Sequence, residues 1–199
     1  MLAEGILDVE VARGMHLDAH IALPNDARGV VACFGDRPAL AAACNELGFA
    51  SIEIEVTAIP EEVDKAAAIF ASAVEAITHD PAMRDRPIGY FGSGTGGVAT
   101  LVAASLHTEE VAAVVTIDAP LRLAGTHLSG VRAATLFLVD AQSPTPTGPS
   151  DLPPLPSGSM LVQVVPDDVA EPDTAAAAWF DTTLRGLMRG ARRALWRTA

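Results

Sequence analysis

The sequence predicts a single α/β domain in which an antiparallel hairpin leads into a mostly parallel, eight-stranded sheet with helices on both faces. Residues 5–12 (GILDVEVA) and 16–24 (HLDAHIALP) carry apolar side chains at every second position, which is the pattern of half-buried antiparallel strands. From residue 29 onward, short and continuously apolar segments alternate with amphipathic ones. This alternation is typical of parallel strands that are covered by helices on both faces.

The elements after the hairpin are predicted in a regular order. Gly48 ends the first helix, and Glu61 and Glu62 lie at the start of the second helix, where the helix dipole favours acidic residues. Residues 120–130 are predicted to be irregular, and the six prolines of the loop 143–158 exclude a helix there. The predicted parallel strands are 29–34, 51–56, 88–92, 111–118, 134–140 and 160–165, and the predicted helices are 38–47, 61–78, 96–106 and 174 onward.

Composition and charge exclude several classes of function. The net charge of −12 argues against nucleic acid as a partner, because phosphate binding needs a basic surface. The acidic N-terminus lacks the features of a secretion signal, and no apolar run approaches the roughly 20 residues of a membrane span, so a cytoplasmic location is expected. Cys33 and Cys44 are expected to be reduced, buried packing residues. No cofactor or metal is expected, because no cluster of histidine, cysteine or carboxylate has ligand spacing.

The C-terminal tail differs in charge from the rest of the chain. Residues 185–199 carry five arginines and no acidic residue, and their apolar side chains fall along one side of a helix. The sequence therefore predicts a main domain over residues 1–184, followed by a basic amphipathic helical extension that docks on a partner, lies on an anionic membrane surface or packs on the acidic body of the protein. The arginines concerned are Arg185, Arg189, Arg192, Arg193 and Arg197.

A glycine cluster follows the third predicted parallel strand, in the segment GYFGSGTGG of residues 89–97. Together with LPNDARGVVACFG, VAAVVTIDAPLRLAG, RAATLFLVD and the ending VQVVP…AAAAWF, this segment resembles the dienelactone-hydrolase-like branch of the α/β-hydrolase superfamily over about residues 5–184. In that fold the nucleophile is the central residue of G-x-S-x-G, on a sharp turn between a strand and a helix. The resemblance implies that Gly92 and Gly96 are the flanking glycines, that Gly94 is at the nucleophile position, and that Ser93 and Thr95 are beside it.

The other catalytic features that the resemblance implies are also altered. The acid of the family corresponds to residues 141–143, with Asp140 two or three positions early. The segment 165–173, where the family places its histidine, contains none. The glycine-rich turn that supplies an oxyanion donor in relatives is shortened to FGDRPAL. The histidines of the chain, all elsewhere, are His16, His20, His79, His107 and His127.

These departures from the family pattern predict a catalytically silent hydrolase-like protein that serves as a binding or interaction module, with no catalytic residue. Because ligands of open α/β sheets bind at the carboxyl ends of the strands, a ligand pocket is expected at Asp36, Ser93, Thr95 and Asp118.

Two alternatives remain open at this point. The first is an esterase or lactonase that uses Ser93 with a histidine recruited from elsewhere, such as His127. The second is a dinucleotide-binding protein, because the glycine cluster also satisfies G-x-G-x-x-G between a strand and a helix, through Gly92, Gly94 and Gly97, with Asp118 where a ribose-binding acid would be.

Overall fold

The computed structural model describes residues 2–56, 60–140, 155–156, 159–164 and 172–195. Three expectations therefore lie wholly or largely outside the described residues: the proline-rich loop 143–158, the acid position at 141–143 and the segment after the last strand.

The described residues form one mixed sheet with four α-helices. Its strand order is β1-β2-β4-β3-β5-β6-β7-β8, and a 3-10 segment, Leu121–Gly130, follows β6. The strands are β1 Leu2–Ala12, β2 Met15–Pro24, β3 Val30–Phe34, β4 Ala50–Ile54, β5 Ile88–Ser93, β6 Val111–Ile117, β7 Ala134–Asp140 and β8 Met160–Val164. The helices are α1 Pro38–Glu46, α2 Val63–Thr78, α3 Gly94–Leu106 and α4 Pro172–Leu195.

The N-terminal hairpin and the parallel region agree with the sequence prediction. Strand β1 pairs antiparallel with β2, and β2 pairs antiparallel with β4. Every pairing from β4 through β3, β5, β6 and β7 to β8 is parallel. The α/β fold with a mostly parallel sheet and an N-terminal antiparallel hairpin is thus confirmed.

Helices cover both faces of this sheet. On one face, Phe70 of α2 packs between Phe34 and Tyr90, with ring centroids 5.4 and 5.0 Å away, and α3 belongs to the same core cluster. On the other face, Leu40 of α1 and Phe180 of α4 pack with a second cluster of buried strand residues. Parallel strands buried on both faces explain why the sequence shows continuous apolar runs here rather than alternation.

Two sequence predictions need correction. Residues 120–130 were expected to be irregular, but Leu121–Gly130 forms a 3-10 segment that is kinked at Gly125, and its buried Leu121, Ala124 and Leu128 anchor it to the core. Helix α3 begins at Gly94 rather than at residue 96, because the left-handed backbone of Gly94, with φ of 52°, lets the chain turn directly from strand to helix.

Several other expectations concern single elements. Cys33 and Cys44 are both free and buried, as predicted. Helix α4 continues past Leu184 as far as Leu195, so the basic tail begins within this helix; its role and its separation from the main domain stay predictions. Among the described helices, none combines the length and the apolar character of a membrane span. The cytoplasmic location stays a prediction.

The strand order defines the point at which the chain reverses its direction across the sheet. Strand β3 lies between β4 and β5, so the chain leaves β3 toward one edge of the sheet and later continues from β5 toward the other. In open α/β sheets the crevice at such a switch point, outside the carboxyl ends of the strands, is the usual ligand site. The glycine cluster after β5 lies at this point.

Candidate functional site

The turn between β5 and α3 depends on close contact between glycines. A Cβ atom on Gly92 would lie 2.7 Å from the carbonyl oxygen of Gly96 and 2.8 Å from the Cα of Gly97. A Cβ on Gly96 would lie 2.6 Å from the ring of Phe34. Only glycine at these positions lets the first turn of α3 pack directly on the end of β5.

The two residues at the centre of the turn differ in geometry. Gly94 has the left-handed φ of 52°, and a Cβ built on it meets no heavy atom within 4 Å, so the space above it is open. Ser93 keeps extended backbone angles and makes no capping hydrogen bond to α3, and it is exposed. The turn therefore presents an open position at Gly94 and an exposed hydroxyl beside it.

Strand alternation determines which face of the sheet Ser93 shares. Side chains two residues apart on a strand leave it on the same side, so Ser93 is on the face of Phe91, which packs in the cluster with α1 and α4. The Arg37 guanidinium stacks over the Phe91 ring, 5.0 Å from its centroid. Arg37 is thus a cation at the same end and on the same face of the sheet as the Ser93 hydroxyl.

Arg37 and three acidic residues form a group that we call the carboxyl-edge cluster (Asp36, Arg37, Glu53, Asp173). Its Nη2 lies 3.4 Å from Oδ1 of Asp173, in the first turn of α4. Its backbone N–H donates a 2.5 Å hydrogen bond to Oε1 of Glu53. Burial raises the pKa of Glu53, and the neighbouring Asp36 raises it further, against the lowering effect of the Arg37 N–H. The cluster therefore contains a carboxyl group that holds its proton more tightly than usual.

Sequence reasoning missed Arg37, Glu53 and Asp173. Two signals were available: Glu53 is the one charged residue within the apolar strand ASIEI, and Arg37 directly precedes the proline that begins α1. Neither signal shows which residues meet, because Asp173 reaches Arg37 only through the packing of α4 against α1.

The predicted pocket residues all lie at the carboxyl edge. Asp36 follows β3, Ser93 and Thr95 bracket Gly94, and Asp118 follows β6. The backbone N–H of Asp118 donates to the carbonyl oxygen of Leu138 at 2.9 Å. The position of the glycine cluster and Asp118 at one edge of the sheet is also compatible with dinucleotide binding. That function stays a prediction.

His127 is not part of this site. Its Nδ1 lies 3.1 Å from Oγ of Ser105, close to the C-terminal end of α3, whereas Ser93 lies at the other end of that helix. At 1.5 Å per residue, the two serines are about 18 Å apart along the helix axis. The suggestion that His127 activates Ser93 is therefore wrong.

The described histidines do not supply a metal centre either. In the part of the chain that the structure describes, no group of three or more histidine, cysteine or acidic side chains could hold a metal ion.

Comparison with solved structures places the whole fold among hydrolases. The chain is 25% identical to a dienelactone hydrolase from Anabaena variabilis, with a TM-score of 0.74 over 93% of this chain and 98% of that one. It is 15% identical to a cold-adapted esterase from an Arctic intertidal metagenomic library, with a TM-score of 0.73 over 92% and 94% of the two chains. An S-formylglutathione hydrolase from Staphylococcus aureus gives 13% identity and a TM-score of 0.66, over 91% and 97%. No protein-family model and no curated protein matches the chain.

These similarities correct the expectation about function. The sequence led us to expect a catalytically silent binding module, and that expectation is wrong, because the structures that match over almost their full length are a dienelactone hydrolase and esterases. The esterase alternative is better supported. The comparisons and the strand order together identify the chain as an α/β-hydrolase fold of the dienelactone-hydrolase-like type.

Proposed function

We propose that the protein hydrolyses a carboxylic ester or lactone at the switch-point crevice, with Ser93 as the nucleophile. The observation that carries this proposal is the full-length likeness to a dienelactone hydrolase at 25% identity. The exposed hydroxyl of Ser93 supports it, because it lies one residue before Gly94, the position at which this fold presents its nucleophile.

The open position at Gly94 gives the substrate room. Since a Cβ there would meet nothing within 4 Å, an acyl group can approach the turn directly above the glycine. The first backbone N–H groups of a helix such as α3 have no acceptor within the helix, and they form the positive end of its dipole. The Thr95 N–H and its neighbours would stabilise the oxyanion of a tetrahedral intermediate.

The proton acceptor in this proposal is Asp173 of the carboxyl-edge cluster. Arg37 pairs with Asp173 while stacking on Phe91, which fixes a carboxylate on the face of Ser93. The Ser93 Oγ would attack the carbonyl carbon and pass its proton to Asp173. The ester C–O bond then breaks, the leaving alcohol takes the proton, and water releases the acyl group from Ser93 by the reverse sequence.

Turnover of 4-nitrophenyl butyrate and of an aromatic lactone tests the proposal. We expect Ser93→Ala to lower kcat/KM by at least about a hundredfold, and Asp173→Asn to lower it while Arg37 stays in place. Ser129→Ala is the matched control, because Ser129 is an exposed serine whose hydroxyl donates to the carbonyl oxygen of Thr126 within its own 3-10 segment. An unchanged rate in Ser93→Ala would contradict the proposal, as would the absence of turnover in the wild-type protein.

A further inference from the structure

Three side chains from separate elements meet at the far end of α3, and we call them the Ser105 triad (Ser105, His127, Asp64). Oγ of Ser105 lies 3.1 Å from Nδ1 of His127, and Nε2 of His127 lies 3.7 Å from Oδ1 of Asp64. We propose that this triad is a second nucleophilic site, in which Ser105 accepts an acyl group from small activated esters. This inference does not rest on the function proposed for Ser93.

The order of the contacts matches the roles of nucleophile, base and acid. Asp64 faces Nε2 and favours a proton on that nitrogen, which leaves the lone pair of Nδ1 directed at the Ser105 hydroxyl. An acid that orients the base and a base that faces the nucleophile are the relationships by which such sites are recognised, irrespective of position in the chain. At 3.7 Å the Asp64 contact is electrostatic rather than a hydrogen bond.

Packing explains how the three residues come together. Leu128 is buried next to His127 and anchors the 3-10 segment to the core, and Gly125, with φ of 52°, allows the kink before it. Gly130 closes against α3, since a Cβ there would lie 3.4 Å from Cβ of Ser105. His127 is therefore held over Ser105 while its ring stays open to solvent.

The reaction balances with the groups present. In the resting state the Ser105 hydroxyl donates to the carbonyl oxygen of Val102 at 2.7 Å. The hydroxyl must therefore first rotate so that it donates to Nδ1 of His127 instead. Oγ then attacks the ester carbonyl, Nδ1 takes the proton, the C–O bond breaks, and the imidazolium returns the proton to the leaving alcohol. Competition from the Val102 carbonyl oxygen for the Ser105 hydroxyl predicts slow acylation.

The surroundings of the triad indicate the ester class. Leu106 and Leu123, on the same two elements as Ser105 and His127, are 59% and 41% exposed. Exposed apolar side chains of this kind can contact a short acyl or aryl group of a substrate. Because an open surface position offers little binding energy, the ester must be reactive by itself. Aryl esters with good leaving groups are therefore the expected substrates.

Labelling of the native protein with a fluorophosphonate, followed by peptide fragmentation, tests the inference. No lysine or arginine lies between Pro87 and Leu121, so trypsin leaves Ser93 and Ser105 in one peptide and fragment ions must assign the adduct. We expect an adduct on Ser105 that is retained in Ser93→Ala and lost in Ser105→Ala. An adduct on Ser93 bears separately on the function proposed above, so the two proposals can fail independently.

Variants of the base separate catalysis from structure. His127→Gln retains an amide that can bond to Ser105 but cannot take up its proton, and we expect it to slow labelling by at least about a hundredfold with little change in Tm. His107→Gln is the matched control, since His107 pairs with Glu110 on the surface. Labelling of Ser105 at the wild-type rate in His127→Gln would overturn the inference, and so would an unmodified Ser105 after prolonged exposure of the folded protein.

Discussion

Gly92 and Gly96 meet backbone against backbone at the turn between β5 and α3. A Cβ on Gly92 would lie 2.7 Å from the Gly96 carbonyl oxygen, a distance at which the backbone must move. We therefore expect Gly92→Ala to push α3 off the strand and to lower the free energy of unfolding by about 1–3 kcal/mol. Urea denaturation at neutral pH measures the difference. Gly5→Ala is the control, because a Cβ at Gly5 meets nothing within 4 Å; equal urea midpoints for the two variants would contradict the argument.

Gly94 should respond to substitution for a different reason. The space around its missing Cβ is empty, but its φ of 52° disfavours a side chain. We expect Gly94→Ala to lower the free energy of unfolding by about 1–2 kcal/mol through backbone strain alone. Gly94→Asn should lower it less, since asparagine tolerates the left-handed region better than most residues. If the alanine and asparagine variants unfold at the same urea concentration, the strain argument is wrong.

The turn could be predicted from the sequence because its determinants are local. A short apolar strand, a run of glycines and an alanine-rich helix follow one another within residues 88–106, and glycine is required wherever backbone segments touch. The hairpin and the parallel strands could be predicted for the same reason, since each strand is indicated by the apolar pattern within a few consecutive residues.

The polar partners at the site could not be predicted in the same way. Arg37 contacts Phe91 and Asp173, and both contacts depend on how α1 and α4 pack across β5. His127 illustrates the same limit, because its sequence position after β6 suggested the carboxyl edge while the 3-10 segment carries it to the opposite end of α3. The likeness to hydrolases could be predicted from the sequence motifs. The function class, however, was misjudged from single residues within those motifs, and the full-length similarity to solved hydrolases corrects it.

Glu53 gives the cluster a pH dependence with a definite sign. Burial and the nearby Asp36 raise its pKa above the ordinary value of 4.5, so the folded protein binds this proton more tightly than the unfolded chain does. The resulting stabilisation is complete below pH 4.5 and is lost as the pH rises through the folded-state pKa. Glu53→Gln cannot titrate, and its amide oxygen can still accept from the Arg37 N–H. The free energy of unfolding of this variant, relative to wild type, should therefore increase between pH 4.0 and pH 7.5.

The matched control for Glu53→Gln is Glu55→Gln. Glu55 is an exposed acidic residue two positions further along the chain. Both changes remove one negative charge from a protein of net charge −12, so general charge repulsion affects them alike. The additional gain at pH 7.5 should appear only at position 53, because of the two carboxyl groups only that of Glu53 is partly buried and close to a second acid, Asp36. Urea denaturation of both variants at the two pH values measures it. Parallel pH profiles for the two variants would show that the proton on Glu53 contributes nothing to stability.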